Sequence, residues 1–429
     1  MWLIYEVLLV IGLILYLPSA LWRRRLPHRG WTMRLGWYPA DVTKRLERPG
    51  AIWIHAVSVG EVMAVPPLIQ RFVTEYPERP LVVSTMTPSG FAVASKVLGD
   101  QAVIIYGPLD LRWVVRRALQ VIRPRVLLLV ESELWPVWIH LSTTQRIPVV
   151  VINGRVSARA YRRYLWVKPW LKGMLESVDQ FLMQSDQDAQ RLIAMGAPPD
   201  RVKVLGSLKW DASVALRPSE DAHHALAQRL RVDGEAPLIV AGSTHRGEEL
   251  VLMEAFQALR RHHPSARLVI APRHLERVGE VEALSRRGGL SVQRASQLGP
   301  SSRPWDVVIV DSLGQLPLYY GLATAVFVGG SLIPHGGQNP LEPASLGKPI
   351  MFGPFMDNFA EIASQLTAHQ AATQLANEQE LAKTLQDFLT NRTHAQAMGQ
   401  RAKELTERFA GCTQRTFAAL NPLLTAPPS

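Results

Sequence analysis

Cysteine is nearly missing: Cys412 is the only one in 429 residues. One thiol excludes an internal disulfide and any cysteine-built zinc or iron–sulfur site, and it suits a reducing compartment. Acidic residues are also short. Asp and Glu number 36 against 47 Lys and Arg, a formal net charge of +11. Only one apolar run approaches the roughly 20 residues that a membrane span needs, which excludes a multi-span protein. No G-x-G-x-x-G follows a strand, and there is no G-x-x-x-x-G-K-[ST], H-E-x-x-H or G-x-S-x-G. Those absences argue against dehydrogenases, P-loop enzymes, zinc proteases and α/β-hydrolases. What is present, 47% hydrophobic and 19% charged residues, excludes disorder as the main state. The length suits two or three compact units of roughly 100–200 residues each.

The apolar run is residues 1–22, where Glu6 is the only charge, followed at once by Arg23, Arg24 and Arg25 and then Arg29. A secretory signal carries its positive charges before the apolar stretch, so the reversed order predicts an uncleaved anchor helix. The positive-inside rule then puts the body on the cytoplasmic side. Glu6 and Pro18 weaken a span, and a helix lying in the interface is the rival. A second stretch, 155–174, holds six basic residues (Arg155, Arg159, Arg162, Arg163, Lys168, Lys172) and no acidic one, interleaved with Tyr161, Tyr164, Trp166 and Trp170. This mixture suits an anionic membrane surface or a phosphorylated lipid. The plain reading is a solvated helix face with its aromatics in the core. Nucleic acid is disfavoured as a partner.

From residue 51 onward, short Val- and Ile-rich runs alternate with segments of helical period. Strands are predicted at Ile52–Ala56, Leu81–Ser84, Val103–Tyr106, Val126–Val130, Val149–Ile152, Phe181–Met183 and Val202–Leu205, with helices such as Leu111–Ile122 and Asp186–Met195 between them. Continuous rather than alternating apolar strands are the mark of a parallel sheet buried on both faces. After a polar break the pattern restarts with Leu238–Ala241, Arg267–Ile270, Val307–Val310, Ala325–Val328 and Ile350–Gly353. The expected fold is α/β, two doubly wound Rossmann-like domains facing a cleft, with an N-terminal membrane anchor helix. The expected boundaries are an anchor at 1–22, an N-terminal Rossmann-like domain at 23–215, a linker at 216–236 and a C-terminal Rossmann-like domain at 237–392. A C-terminal helix at 393–424 packs back toward the first domain, and 425–429 is a loose tail.

The candidate chemistry lies in loops after strands. Ser58 and Glu61 fit a capping box, which is the plain reading of that pair. Glu131 and Glu133 leave a buried strand, where carboxylates are costly unless solvated or paired. Lys209 stands beside the linker, with a solvated surface lysine as its alternative. In the second half, Pro272-Arg273-His274 places a guanidinium suited to phosphate at a helix start. Leu313-Gly314-Gln315 leads into a short helix whose first amides can hold a phosphate. Residues 329–343 are glycine-rich, and Asn339 and Glu342 can bond sugar hydroxyls. The D-x-D of Asp186 and Asp188 reads as a helix cap at Asp186 rather than a metal site.

In order along the chain, S-V-G-E at 58–61, E-S-E-L-W-P at 131–136, N-G-R at 153–155, G-S-L-K at 206–209, A-P-R-H at 271–274 and H-G-G-Q-N-P-L-E at 335–342 resemble the Kdo transferases of lipopolysaccharide synthesis. These are 3-deoxy-D-manno-octulosonic acid (Kdo) transferases that glycosylate a lipid A precursor. The resemblance extends to about residue 420 without departure at the motif positions. It implies a GT-B fold at the inner membrane with an acceptor-binding N-terminal and a CMP-sugar-binding C-terminal domain, CMP-Kdo as donor, a lipid A precursor as acceptor, and inverting transfer that uses no metal and no cofactor. Carried over by motif, Glu61 is the general base, and Glu131 and Lys209 assist the transition state. Pro272, Arg273, Leu313, Gly314, Gln315, Asn339, Pro340, Leu341 and Glu342 contact CMP. Arg23, Arg24, Arg25 and the 155–174 stretch meet the anionic membrane. The competing readings are a membrane-associated UDP-sugar transferase or epimerase of the same architecture, and a non-catalytic scaffold that binds anionic lipid.

Overall fold

The computed structural model describes residues 5–6, 9–12, 15, 30–131, 133–215, 217–232, 236–299 and 303–425. The chain divides into two compact units, one of residues 1–212 with 411–429 and the other of residues 213–410.

The first unit is built on a seven-stranded parallel sheet. Its strands are β1 (Ala51–His55), β2 (Leu81–Thr85), β3 (Val103–Tyr106), β4 (Pro124–Val130), β5 (Val149–Gly154), β6 (Gln180–Met183) and β7 (Val202–Val204), in the order β3-β2-β1-β4-β5-β6-β7. Burial is complete along β1, β2 and β5, which is why those strands read as unbroken apolar runs. Successive residues feed opposite faces. Trp53, Leu127, Leu129 and Val151 pack into one layer, and Ile52, Ile54, Leu128 and Ile152 into the other. The order reverses between β1 and β4, so the loops leaving those two strands flank the crevice where open α/β sheets bind ligands.

The second unit repeats the design with β8 (Leu238–Thr244), β9 (Arg267–Pro272), β10 (Val292–Arg294), β11 (Val307–Ile309), β12 (Ala325–Val328), β13 (Ile350–Phe352) and β14 (Thr373–Gln374), in the order β10-β11-β9-β8-β12-β13-β14. Here the reversal lies between β8 and β12. Leu252, Phe256, Leu268, Phe327 and Leu385 share its core.

Four expectations need correction. Residues 216–236, read as a linker, contain the helix Glu220–Leu230, which belongs to the second unit and buries Leu226 and Leu230. Its polar sequence hid it, since two buried leucines give a weak period. The helix expected over 393–424 is two helices, Arg392–Phe409 in the second unit and Cys412–Thr425 in the first. Gly411 separates them at φ +89°, a left-handed conformation that a side chain disfavours. Strands β10 and β14 were missed because these edge segments of two or three residues, with Val292 their one apolar member, leave no apolar run. The N-cap of the helix Asp186–Met195 is Ser185, not Asp186. The carboxylate of Asp188 accepts hydrogen bonds from the Ser185 hydroxyl at 2.6 Å and the Val156 amide at 2.7 Å.

Of the expected anchor 1–22, most residues lie outside the described ones, as do Arg23, Arg24, Arg25 and Arg29. Among the described residues no helix is long and apolar enough to cross a membrane. The described part is tied to the first unit. Glu6 accepts the backbone amide of Arg112 at 2.7 Å and pairs with its guanidinium at 3.1 Å, so it caps the helix Arg112–Ile122. The Tyr5 hydroxyl donates to Asp110 at 2.8 Å. At the other end of the chain, Cys412, Phe417, Leu420 and Leu424 join the core layer of Ile52 and Ile54, with Phe417 against Phe72. Asp211 accepts the amides of Gly411 and Thr413 and so pins the start of that helix.

Candidate active site

β1 ends at His55, and the helix Val59–Ala64 follows with Ser58 as its N-cap. The capping box is real. The Glu61 amide reaches the Ser58 oxygen at 3.4 Å, while the Glu61 carboxylate accepts the Ser58 hydroxyl and the Val57 amide, each at 2.8 Å. The box does not exhaust the residue. Glu61 is only 7% exposed, and its pKa is pushed up to about 8. Burial is the main cause, and the Glu131 charge is the next. Hydrogen bonds from Ser58 and Val57 oppose the rise, and Glu133 adds a little to it.

Glu131 leaves β4, the neighbour of β1, in a left-handed conformation at φ +61°, with its amide still bonded to Ile152 of β5 at 2.9 Å. Lys209 Nζ lies 2.8 Å from Glu131 Oε1, and both side chains are largely covered, so Lys209 is not a solvated surface lysine. Ser132, between the two glutamates, lies outside the described residues. Glu133 accepts the Trp135 indole N–H at 2.9 Å, and its pKa is raised by burial against the pull of that bond, with Glu131 adding to the rise.

Asn153 of the N-G-R motif delivers Lys209. It sits at φ +52°, and its Oδ1 accepts the Leu208 amide at 2.9 Å, fixing the start of the helix Leu208–Ala215. Its role was missed because residues 153 and 208 meet only through the sheet; the motif itself was the available signal. His55 is a core residue. It is fully buried against Trp138 and bonded to Ser84 at 2.8 Å, and desolvation lowers its pKa to about 3.

In the second unit the expected donor residues lie after β9, β11 and β12. Pro272 ends β9, and the Arg273 amide bonds to Thr244 O at 2.9 Å. Leu313 is 59% exposed, Gly314 sits at φ +83°, and Gln315 occupies the N-cap position of the helix Leu316–Leu322 without a side-chain capping bond. Asn339 and Glu342, expected to face sugar hydroxyls, bond each other at 3.4 Å, and the Asn339 oxygen accepts the Leu341 amide at 3.0 Å. Burial raises the pKa of Glu342 to about 7, with Asn339 and Arg273 pulling the other way. The structure thus brings the Pro272-Arg273 and 339–342 motifs together electrostatically. The Leu341 side chain is fully buried, so only its backbone can meet a ligand.

Sequence reading missed Glu248. This carboxylate is 0% exposed and accepts four amides, those of Gly330 (2.7 Å), Ser331 and His245 (2.9 Å each) and Leu332 (3.0 Å). It ties the end of β8 to the glycine-rich loop after β12. Gly329 passes so close to Ser243 that a Cβ would lie 2.5 Å from its carbonyl oxygen. The signal for Glu248 was an acidic pair after a strand, which reads equally well as a helix start.

A family model described as 3-deoxy-D-manno-octulosonic-acid transferase (kdotransferase) matches residues 29–212. The 3-deoxy-D-manno-octulosonic acid transferase of Haemophilus influenzae is 31% identical over 379 residues, covering 88% of each chain. That of Bordetella pertussis is 32% identical over 386 residues, 87% of each. Among solved structures, a putative UDP-N-acetylglucosamine 2-epimerase from Listeria monocytogenes superposes with a TM-score of 0.60 at 15% identity, over 87% of this chain and 96% of its own. That likeness carries the fold alone, two parallel-sheet α/β units of the GT-B type. With the two curated relatives alike across most of their length, the chain belongs to the 3-deoxy-D-manno-octulosonic acid transferase family of glycosyltransferases.

Proposed function

We propose that the protein transfers Kdo from CMP-Kdo to a lipid A precursor, with inversion at the anomeric carbon and Glu61 as the base that takes the acceptor hydroxyl's proton. The observation that carries this reading is a buried carboxylate with a pKa near 8, set beside Glu131 at the switch point of the first sheet. A base is most effective when its pKa lies near the working pH, and roughly one Glu61 in ten is ionised at pH 7 with such a value. The Val57 amide and Ser58 hydroxyl stay bonded to the anion that does the work. In this scheme Glu131 holds Glu61 basic and orients Lys209, whose ammonium offsets negative charge that grows as CMP leaves.

The donor role goes to the second unit. Pro272, Arg273, Leu313, Gly314, Gln315, Asn339, Pro340 and Glu342 contact CMP, and Leu341 does so through its backbone. Arg273 supplies the bidentate cation that a phosphate favours.

Residues 1–22 anchor the protein, with Arg23, Arg24 and Arg25 at the cytoplasmic side of the inner membrane. The 155–174 stretch lies against anionic lipid. Support for the latter is specific. Trp166 is 89% and Trp170 48% exposed, on helices that also expose Arg159, Arg162, Arg163 and Lys168. Tyr161 and Tyr164 pack inward, so the plain reading holds for half of the aromatics.

The test is to incubate the full chain with CMP-Kdo and a lipid A precursor and to read the product mass. A gain of one or more Kdo units is expected. No gain with active membranes present would overturn the assignment, and near-normal turnover by Glu61→Gln would remove Glu61 as the base.

A further inference from the structure

Three histidines gather at the switch point of the second sheet. His245 follows β8 and His335 lies in the loop after β12, and these are the two strands between which the order reverses. The ring centroids of His245 and His335 are 4.0 Å apart, and His274, after β9, is 5.7 Å from His245. His245 is buried, while His274 and His335 are exposed, so the group is backed by protein and open on one side. Gln338 lies 3.2 Å from His245 Nε2 and helps to orient that ring.

The surroundings are electropositive. Burial and the nearby His335, His274, Arg273 and Arg277 together lower the pKa of His245 to about 4. The nearest carboxylates are engaged. Glu249 pairs with Arg277 at 2.7 Å, and Glu248 holds four backbone amides. Glu342 bonds Asn339, and Glu276 is an exposed residue 3.7 Å from His274. A ring held neutral first by burial and then by its positive neighbours lies in a field that favours an anion. A metal ion is the other ligand that three histidines suggest. Arg273 repels a cation, and His245 and His335 meet ring against ring at 47°. Among the described residues no three His, Cys, Asp or Glu are arranged to hold a metal ion.

We propose that His245, His274 and His335, with Arg273, form the oxyanion seat of the donor site, holding the phosphate or the carboxylate of a nucleotide-linked sugar acid. The inference deepens the function proposed above and rests on it for the donor. Phosphate and carboxylate share the chemistry the rings recognise, a charged oxygen that accepts N–H bonds. Such bonds are roughly twice as strong as neutral ones. His274 and His335 face the anion from the open side with their ring N–H groups, while the buried His245 backs them.

The experiment is calorimetry on the full chain with cytidine, CMP and CMP-Kdo, comparing wild type with His335→Gln and His274→Gln. Both rings are exposed, so these variants keep the fold, which a thermal melt verifies. Affinity for CMP about tenfold weaker, with cytidine within twofold of wild type, assigns the seat to the phosphate. A loss confined to CMP-Kdo assigns it to the carboxylate. Unchanged binding of all three ligands overturns the proposal, and so does an equal loss of cytidine, which would mean that the rings only shape the pocket. If wild type prefers UDP to CMP, the donor reading falls instead, and the same comparison of uridine with UDP still decides the histidines.

Discussion

Lys209 Nζ and Glu131 Oε1 stand 2.8 Å apart, with side chains only 13% and 15% exposed, although the two residues leave strands that lie three places apart in the sheet. Asn153 closes the gap by holding the Leu208 amide, and Glu131 turns toward the lysine in a left-handed conformation. For a non-glycine residue that conformation costs about 1–2 kcal/mol. Strained non-glycine positions of this kind cluster at functional sites.

Removing the lysine leaves the Glu131 charge uncompensated next to Glu61. Lys209→Met is expected to cost about 2–3 kcal/mol of stability, somewhat below the range for fully buried pairs. It should also move the alkaline rise of kcat/KM to higher pH, because Glu61 then meets a stronger negative field. The double variant Glu131→Gln/Lys209→Met should recover most of the stability and none of the transfer. Urea denaturation and a pH–rate profile measure the two effects separately.

With Glu61 as the proposed base, one carboxyl group makes both activity and stability depend on pH. Its folded pKa of about 8 lies above its ordinary value of 4.5. The folded state therefore holds this proton more tightly than the unfolded chain does. The resulting stabilisation is complete below about pH 4.5 and is lost as pH rises through about 8. Glu61→Gln keeps the capping box and removes this loss. Melts at pH 5 and pH 8.5 should show a smaller difference for the variant than for wild type. Wild-type kcat/KM should climb through about pH 8, while the variant is flat and lower by a hundredfold or more.

Exposed Trp166 and Trp170 beside Arg159, Arg162 and Arg163 let the proposed membrane contact be tested apart from chemistry. Reversing the three arginines to glutamate should sharply weaken binding to vesicles that contain anionic lipid, since each cation near such a surface contributes about 1 kcal/mol. CMP affinity should stay within twofold. Flotation with vesicles and calorimetry with CMP give the two readings, and equal losses in both would make the segment structural.

Glu248 holds the glycine-rich loop of the second unit. Glu248→Ala strips four buried amides of their acceptor, a change expected to cost about 3 kcal/mol or more. CMP affinity should fall with it, because the loop carrying His335 and Asn339 loses its tie to β8. Glu248→Gln retains one acceptor oxygen and should fall between wild type and alanine on both counts. A thermal melt and nucleotide titration check the order of the three proteins.

Twelve of the fourteen described strands were legible, most of them because burial on both faces leaves unbroken Val and Ile runs, as at Val149–Ile152 and Ala325–Val328. The helix Glu220–Leu230 and strands β10 and β14 were not, because their apolar residues are too few to set a period. At the site, the motif positions of Glu61, Glu131, Lys209 and Arg273 could be named from sequence. Glu248 could not, since three of its four partners come from the loop some 80 residues away.

Local sequence by itself determined the capping box at Ser58 and Glu61, the parallel-sheet alternation and the family motifs, because each depends on residues within a few positions of one another. Only the tertiary structure decided that Lys209 pairs with Glu131, that Asn153 sets the lysine's helix, and that His245 and His335 share one crevice. Those relationships arise where strand order reverses or skips. Charge, burial and hydrogen bonding there are set by neighbours that no stretch of sequence contains.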